Sequence, residues 1–288
     1  MTPRLRLYYA RLFASFLGNP MAVIGASITA FVLLAATVGA PLSPYALNHV
    51  DFMDLLAPPS WAHPFGTDSF GRDVFTRVLY GARVSLAVST AGVVLAACTG
   101  ASLGMISAYK GGAADIVLMR FADLLFAFPA FVLALFLMVV LGFGATNVSI
   151  AIALTYFPIF ARLARNMTML VREEPYVQAA RIMGQSTPRI LLREILPNIA
   201  GPLMVQATIG IAFGIVIEAG LSFLGVGVQP PTPSLGVIMA DGREYFQRSP
   251  WVLTLTGMTI SFALLGLNLF GDGLRDLLDP RLRQRAGS

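Results

Sequence analysis

Long runs of apolar sequence with almost no charge constrain this chain more than any other feature. They cover residues 21–42, 84–106, 124–141 (with a helix starting near 116), 145–161, 199–217 continuing to about 226, and 251–270. A helix needs roughly 20 apolar residues to cross a hydrocarbon layer about 30 Å thick. Each run is near that length, so the expected fold is an all-α polytopic membrane protein with six transmembrane helices. Composition agrees: 56% of residues are hydrophobic and 12% are charged, against about 25% charged in a soluble domain. The first run follows Arg4, Arg6 and Arg11, and Val38-Gly39-Ala40 resembles a signal cleavage site. A signal core is usually about 7–15 residues, so this longer run is read as an uncleaved span.

The arginines set the orientation. With the N-terminus in the cytoplasm, Arg4, Arg6, Arg11, Lys110, Arg162, Arg165, Arg172, Arg181, Arg189, Arg193, Arg275, Arg281, Arg283 and Arg285 all fall on the cytoplasmic side. Only Arg72, Arg77, Arg83, Arg243 and Arg248 fall on the other. This is the asymmetry of the positive-inside rule, and an even number of spans puts both termini in the cytoplasm. The net charge of +5 is thereby accounted for. No stretch interleaves basic residues with stacking aromatics, which argues against nucleic acid. Cys98 is alone, so no disulfide forms within the chain. His49 and His63 have no clustered ligand set around them, so no metal site is expected.

Two segments on the extracytoplasmic side stand out. In 43–83, a short amphipathic helix is expected from Thr67 onward, capped by Asp68 or Ser69, with Phe75, Val78, Leu79 and Ala82 on one face. The other, 227–250, opens on Gln229-Pro230-Pro231-Thr232-Pro233-Ser234.

One polar island separates the fourth and fifth spans. Glu173 and Glu174 precede Pro175, which suits the first position of a helix. Tyr176, Ala179, Ala180 and Met183 recur at i, i+3, i+4 and i+7 as one apolar stripe, and Gly184 is placed to end the helix. Thr187 is expected to cap a second helix with Pro188 in its first turn, and Pro197 to end it. The small side chains of Ala179 and Ala180 suit a helix seated in a protein groove better than one resting on lipid.

Within the spans, Glu218 is an ionisable group at membrane depth, with Ser222 one turn on. Such residues line a pathway or make a polar contact to another helix, and the structural role is favoured. Arg120 and Asp123 are expected to pair with each other or with a neighbouring helix. Pro129 and Pro158 are candidate kinks.

Gln178-Ala179-Ala180, Gly184 and Ile195-Leu196-Pro197 resemble the cytoplasmic EAA loop of permease subunits in bacterial ATP-binding-cassette importers. Gln178 stands where that family has glutamate. Further stretches resemble the C-type subunit of dipeptide, oligopeptide and nickel importers. They are His63-Pro64-Phe65-Gly66-Thr67-Asp68 with Gly71-Arg72-Asp73-Val74, Tyr80-Gly81-Ala82-Arg83-Val84-Ser85-Leu86, Glu218-Ala219-Gly220-Leu221-Ser222-Phe223-Leu224-Gly225, Asn268 with Gly271-Asp272-Gly273-Leu274-Arg275-Asp276, and Asp279-Pro280.

The resemblance implies a type I ABC importer transmembrane domain in the bacterial cytoplasmic (inner) membrane. Its partners would be a B-type permease subunit, two cytoplasmic ABC ATPase subunits and an extracytoplasmic solute-binding protein, besides membrane lipid. Coupling to the ATPases is expected at Tyr176, Val177, Gln178, Ala179, Ala180, Arg181, Met183, Gly184, Ile195, Leu196 and Pro197, and a pathway or partner contact at Glu218 and Ser222. The expected organisation is a cytoplasmic tail 1–20, a first span 21–42, an extracytoplasmic segment 43–83, a permease core 84–278 with its coupling loop at about 171–197, and a tail 279–288. Peptides are the expected solute, with nickel or another small solute as the alternative. No phosphate-binding Gly-rich loop with its lysine exists, Lys110 being the only lysine. ATP and Mg therefore belong to partner subunits, and the chain is not expected to be an enzyme or to bind a cofactor. An intramembrane hydrolase lacks support, because no histidine lies in a span to activate Ser222. A secondary carrier or channel is disfavoured, because few charges lie within the spans and no clear internal repeat is present.

Overall fold

The computed structural model describes residues 16–278. The terminal arginines Arg4, Arg6, Arg11, Arg281, Arg283 and Arg285, the motif Asp279-Pro280 and the tail 279–288 lie outside the described residues. Among those described there is no strand, only an isolated bridge between Thr67 and Asp73.

Helix α1 (Pro20–Leu42) contains a π-helical turn at Ala35–Gly39. Asn19 caps it, accepting from the Met21 and Ala22 amides, and donates from Nδ2 to Asp276 Oδ2 at 3.1 Å. α2 (Val74–Lys110) and α5 (Ala145–Val171) form the centre, where Val93, Ala96, Ile152 and Phe160 are all buried. α7 (Thr187–Phe223) and α9 (Pro250–Leu278) pack around that pair, and α1 lies along α9. α6 (Pro175–Ile182) occupies the connection between α5 and α7, and α8 (Leu235–Glu244) the connection between α7 and α9.

Three sequence expectations need correction. First, no separate helix starts at Thr67. Gly71 adopts φ +71° against the Asp51 backbone, and Asp68 is committed to its own loop, accepting from the Phe70 and Arg72 amides. The cap is Asp73, whose Oδ2 accepts from the Thr76 amide and hydroxyl at 2.7 Å each. The helix then runs without interruption into the second span. Of the expected inner face, Val78 and Ala82 are buried and Phe75 and Leu79 half-buried.

Second, the third span is not one helix. α3 (Gly112–Phe126) and α4 (Ala130–Leu141) meet at 95°. Pro129 supplies no amide for a continuing ladder and forces Phe128 out of helical geometry. The expected kink is therefore a break. Among the described residues, five helices are long and apolar enough to cross a membrane alone, and the bent pair makes a sixth span if counted as one.

Third, Pro197 does not end the helix of the island. Ser186, not Thr187, occupies the N-cap position, and its side chain makes no capping bond. The helix widens into a π-turn at Leu191–Ile195, where the Leu196 amide donates five residues back to the Leu191 carbonyl. That wider turn accommodates the proline ring and its missing donor, so α7 continues to Phe223 as one rod.

A glycine turn and three ion pairs tighten the core at one end. Gly111 and Gly112 have φ +67° and +64°, which folds α3 back from α2. Arg165 then clamps α3 to α5 through two bonds of 2.6 Å to Asp115. Asp123 pairs both locally with Arg120, at 4.0 Å, and across to Arg162 on α5, at 2.6 Å.

Candidate docking elbow and buried carboxylate

α6 begins as the residues dictate. Pro175 is its first residue, and Glu174 precedes it in extended conformation. Gly184 ends it at φ +73°, with the Gln185 amide returning to the Ala180 carbonyl at 3.2 Å. A Cβ at Gly184 would meet nothing within 4 Å, so the backbone, not space, demands glycine there.

The helix has an anchored face and a free face. Val177 and Ala180, each 2% exposed, join the buried cluster of Ile190, Leu191 and Ile195, with Tyr109 packed against it. Tyr176, Ala179, Ile182 and Met183 point outward, Ile182 at 86% exposed and Met183 at 70%. The single stripe expected from the sequence is thus divided. Ala180 turns inward with Val177, its i, i+3 partner, while Tyr176, Ala179 and Met183 stay outside with Ile182. Ile182 was missed by the sequence reading, although it sits i+3 from Ala179.

The remaining predicted residues surround that helix. Gln178 is exposed, and its Nε2 donates to Glu173 Oε2 at 3.3 Å. The Arg181 guanidinium lies 6.0 Å over the Tyr109 ring. Ile195 is buried, Leu196 half-buried and Pro197 exposed. The elbow is tied to its base by Arg172, which donates to the Ala108 carbonyl at 2.7 Å and to Glu173 at 2.9 Å.

Glu218 lies far from the elbow, near the other end of α7. It is 0% exposed, and its Oε1 accepts from Ser222 Oγ at 2.8 Å, whereas Oε2 has no partner. Ser222 Oγ in turn accepts from the Val228 amide at 3.0 Å. Both side chains are enclosed by their own chain.

At the same end a charged cluster appears that the sequence reading did not assemble. Arg72 Nε is 2.7 Å from Asp68, Arg77 Nε 3.5 Å from the same carboxylate, and both arginines reach Asp241 on α8 at 3.6 Å. His63 bonds the helix-capping Asp73 at 2.9 Å and stacks on Tyr45. Among the described residues, no group of three or more His, Cys, Asp and Glu is placed to hold a metal ion.

This architecture has known relatives. A chain of the MetNI methionine ABC transporter in an inward-facing conformation superposes with TM-score 0.51 at 20% identity, covering 70% of this chain and 96% of that one. It shows the fold, that of a type I ABC importer transmembrane domain. The dipeptide transport system permease protein DppC of Alkalihalophilus pseudofirmus is 42% identical over 92% of this chain and 87% of its own length. A putative peptide transport system permease protein of Brucella suis is 44% identical over 90% and 88%. Residues 8–59 match the N-terminal TM domain of oligopeptide transport permease C. Residues 100–284 match a second family, and on these grounds the chain belongs to the binding-protein-dependent transport system inner membrane components, the multi-pass permeases of bacterial ABC importers.

Proposed function

We propose that this chain is a C-type permease subunit that forms half of a peptide pathway and is driven by ATPases on other chains. In this reading both termini and α6 face the cytoplasm, and α8 and the Asp68–Arg77 cluster face outward. A B-type permease supplies the other half of the pathway, two ATPase subunits seat the α6 helices, and a binding protein delivers the solute. ATP and Mg are held by the ATPases. Peptide is the favoured solute because the relatives that match over nearly the whole chain carry dipeptide or peptide transport in their names.

The observation that carries the coupling role is the division of α6. Val177 and Ala180 fix the helix to the body of the chain, while Tyr176, Ala179, Ile182 and Met183 stand free immediately before α7. An exposed apolar helix face at the water-facing end of a membrane protein fits a groove on a partner. Movement of α6 passes into α7 as rigid-body motion because the π-turn keeps the rod continuous.

The test uses the reconstituted complex with its binding protein and a peptide digest. Ala179→Arg places a charge on the free face and leaves the core intact. Loss of ATPase association and of peptide-stimulated ATP hydrolysis is expected, with the permease pair still assembled. Wild-type transport by Ala179→Arg, or nickel uptake in place of peptide uptake by the unmodified complex, overturns the corresponding half of the reading.

A further inference from the structure

Lys110 is the one lysine of the chain, and it ends α2 one turn past the uncharged run 84–106. A groove of about 500 Å³ opens there between α2 and the first turns of α7, within the range of small-molecule sites. Met105 and Ile106 form its α2 wall, Leu191 and Leu192 its α7 wall, and Lys110 and Thr187 its polar end. Ser102 also lines it, about 12 Å from Lys110 at the helical rise. Met105 and Leu191 belong to one buried cluster, so the floor is fixed, whereas Ile106, Leu192 and Lys110 are exposed.

The polar end is positive. No ion pair among the described residues includes Lys110, Arg189 or Arg193. Asp115, the acid nearest Lys110 in sequence, is held by Arg165. On the first turns of α7 a single acid, Glu194, stands against Arg189 and Arg193. A cation at the end of a helix interacts favourably with the terminal carbonyls, and that role needs no groove. The groove sets two requirements on an occupant. Beside Met105 and Ile106, inside the uncharged run, it must be apolar. At Lys110, one turn outward, it must offer an anion. A water-soluble partner meets only the second requirement, whereas a phospholipid meets both, and basic pockets between spanning helices attract anionic headgroups.

We infer that this groove binds an anionic phospholipid: the headgroup phosphate accepts from the Lys110 ammonium and the Thr187 hydroxyl, and the start of an acyl chain lies along Met105, Ile106, Leu191 and Leu192. The inference goes beyond the function proposed above and does not depend on it, since the groove meets the membrane surface whichever side α6 faces. Leu191 opens the π-turn of α7. The bound lipid therefore lies against the widened segment that joins the elbow to the rod.

The experiment photolabels the assembled transporter in nanodiscs with phosphatidylglycerol carrying a diazirine on one acyl chain, and maps the label by mass spectrometry. Unlabelled phosphatidylglycerol and phosphatidylcholine then compete for the site. Label is expected on 102–106 and 191–192, displaced about fivefold more effectively by phosphatidylglycerol, the preference that one basic residue gives for anionic lipid. Lys110→Gln keeps the label and loses the preference, and Lys110→Arg keeps both. A helix-end role for Lys110 alone would leave lipid preference untouched. Ser102→Trp, or Leu192→Trp should the first not assemble, fills the groove and removes the label. An unlabelled groove in the assembled wild type, the result if a protein subunit covers it, overturns the inference. Equal displacement by the two lipids does the same, as does a preference that survives Lys110→Gln or a label that survives the groove-filling tryptophan.

Discussion

Replacing Gly104 by alanine tests the packing on which every longer-range movement in this fold depends. α2 and α5 touch backbone to backbone along Gly92, Gly100 and Gly104. A Cβ at Gly104 would lie 2.3 Å from the Ala161 carbonyl oxygen, 3.0 Å from its carbon and 3.1 Å from Ala161 Cα. Ordinary contact begins at 3.4 Å, so the two helices must separate by about 1 Å at this level. A gap of that size forfeits roughly a quarter to a half of the dispersion energy of each facing atom pair. Overpacking costs about 1–3 kcal/mol, and the upper end applies because a backbone carbonyl cannot rotate away. Alanine recovers about 1 kcal/mol of helix propensity. The net loss is about 2 kcal/mol, close to a thirtyfold shift in the unfolding equilibrium. Reversible SDS titration in mixed micelles, followed by tryptophan fluorescence, measures it. Gly210→Ala is the control, since its nearest neighbour, at 3.1 Å, is a methyl group of the Val93 side chain, which can shift. Ala161→Gly must not rescue Gly104→Ala, because the atoms struck are backbone. A loss under about 0.5 kcal/mol, the ordinary range for a silent substitution, or rescue by Ala161→Gly, refutes the reasoning.

Two more outcomes follow from charged contacts. The paired bonds of Arg165 to Asp115 are partly shielded, the two side chains being 26% and 18% exposed. A double-mutant cycle with Arg165→Met and Asp115→Asn should give a coupling of about 1–2 kcal/mol, above the 0.2–1 kcal/mol of exposed pairs; a coupling near zero contradicts the clamp. For Asp241, burial raises the carboxyl above its ordinary 3.8, while Arg77 and Arg72 oppose the rise without cancelling it. The folded chain then holds a proton that the unfolded chain releases, so stability contributed by this group grows as pH falls through the raised value toward 3.8. Unfolding midpoints of wild type and Asp241→Asn, compared from neutrality downward, should diverge in favour of wild type on acidification, and a constant difference rejects the assignment.

The spans were legible because membrane crossing leaves little freedom: an uncharged run near 20 residues has to be a helix. Helix ends were less legible, because they depend on competition among nearby caps. Asp68, Ser69 and Asp73 are all capable of capping, and the choice falls to Asp73 because Asp68 is taken by Arg72 and two backbone amides. Prolines were read by type without their surroundings. Pro129 breaks its span outright, while Pro197 is absorbed by a π-turn that no local pattern announces. The Gly100-x-x-x-Gly104 spacing was in plain view, and close helix approach is its usual use. The Asp68, Arg72, Arg77 and Asp241 cluster was not readable, since it joins residues far apart in the chain.

The division of α6 changes what the elbow is. A helix with one apolar face can rest on a body or grip a partner, and the sequence stripe allowed only one of these. With Val177 and Ala180 committed inward, the outer face is left free, and in the function proposed above it can take a partner without loosening its own anchor. The same pattern recurs at the far end of α7, where α8 buries its first turn against Gly81 and Ala219 and leaves residues 243–248 outside. Two short helices, each half anchored and half free, thus terminate one continuous rod. A rod can carry displacement between such ends only if both anchors are stiffer than the outer contacts. The inner contacts are buried apolar packing of Val177 and Ala180 at α6 and backbone close approaches with a buried hydrogen bond to Ser85 at α8, whereas the outer faces are exposed side chains. The stiffness is distributed in the order that transmission requires.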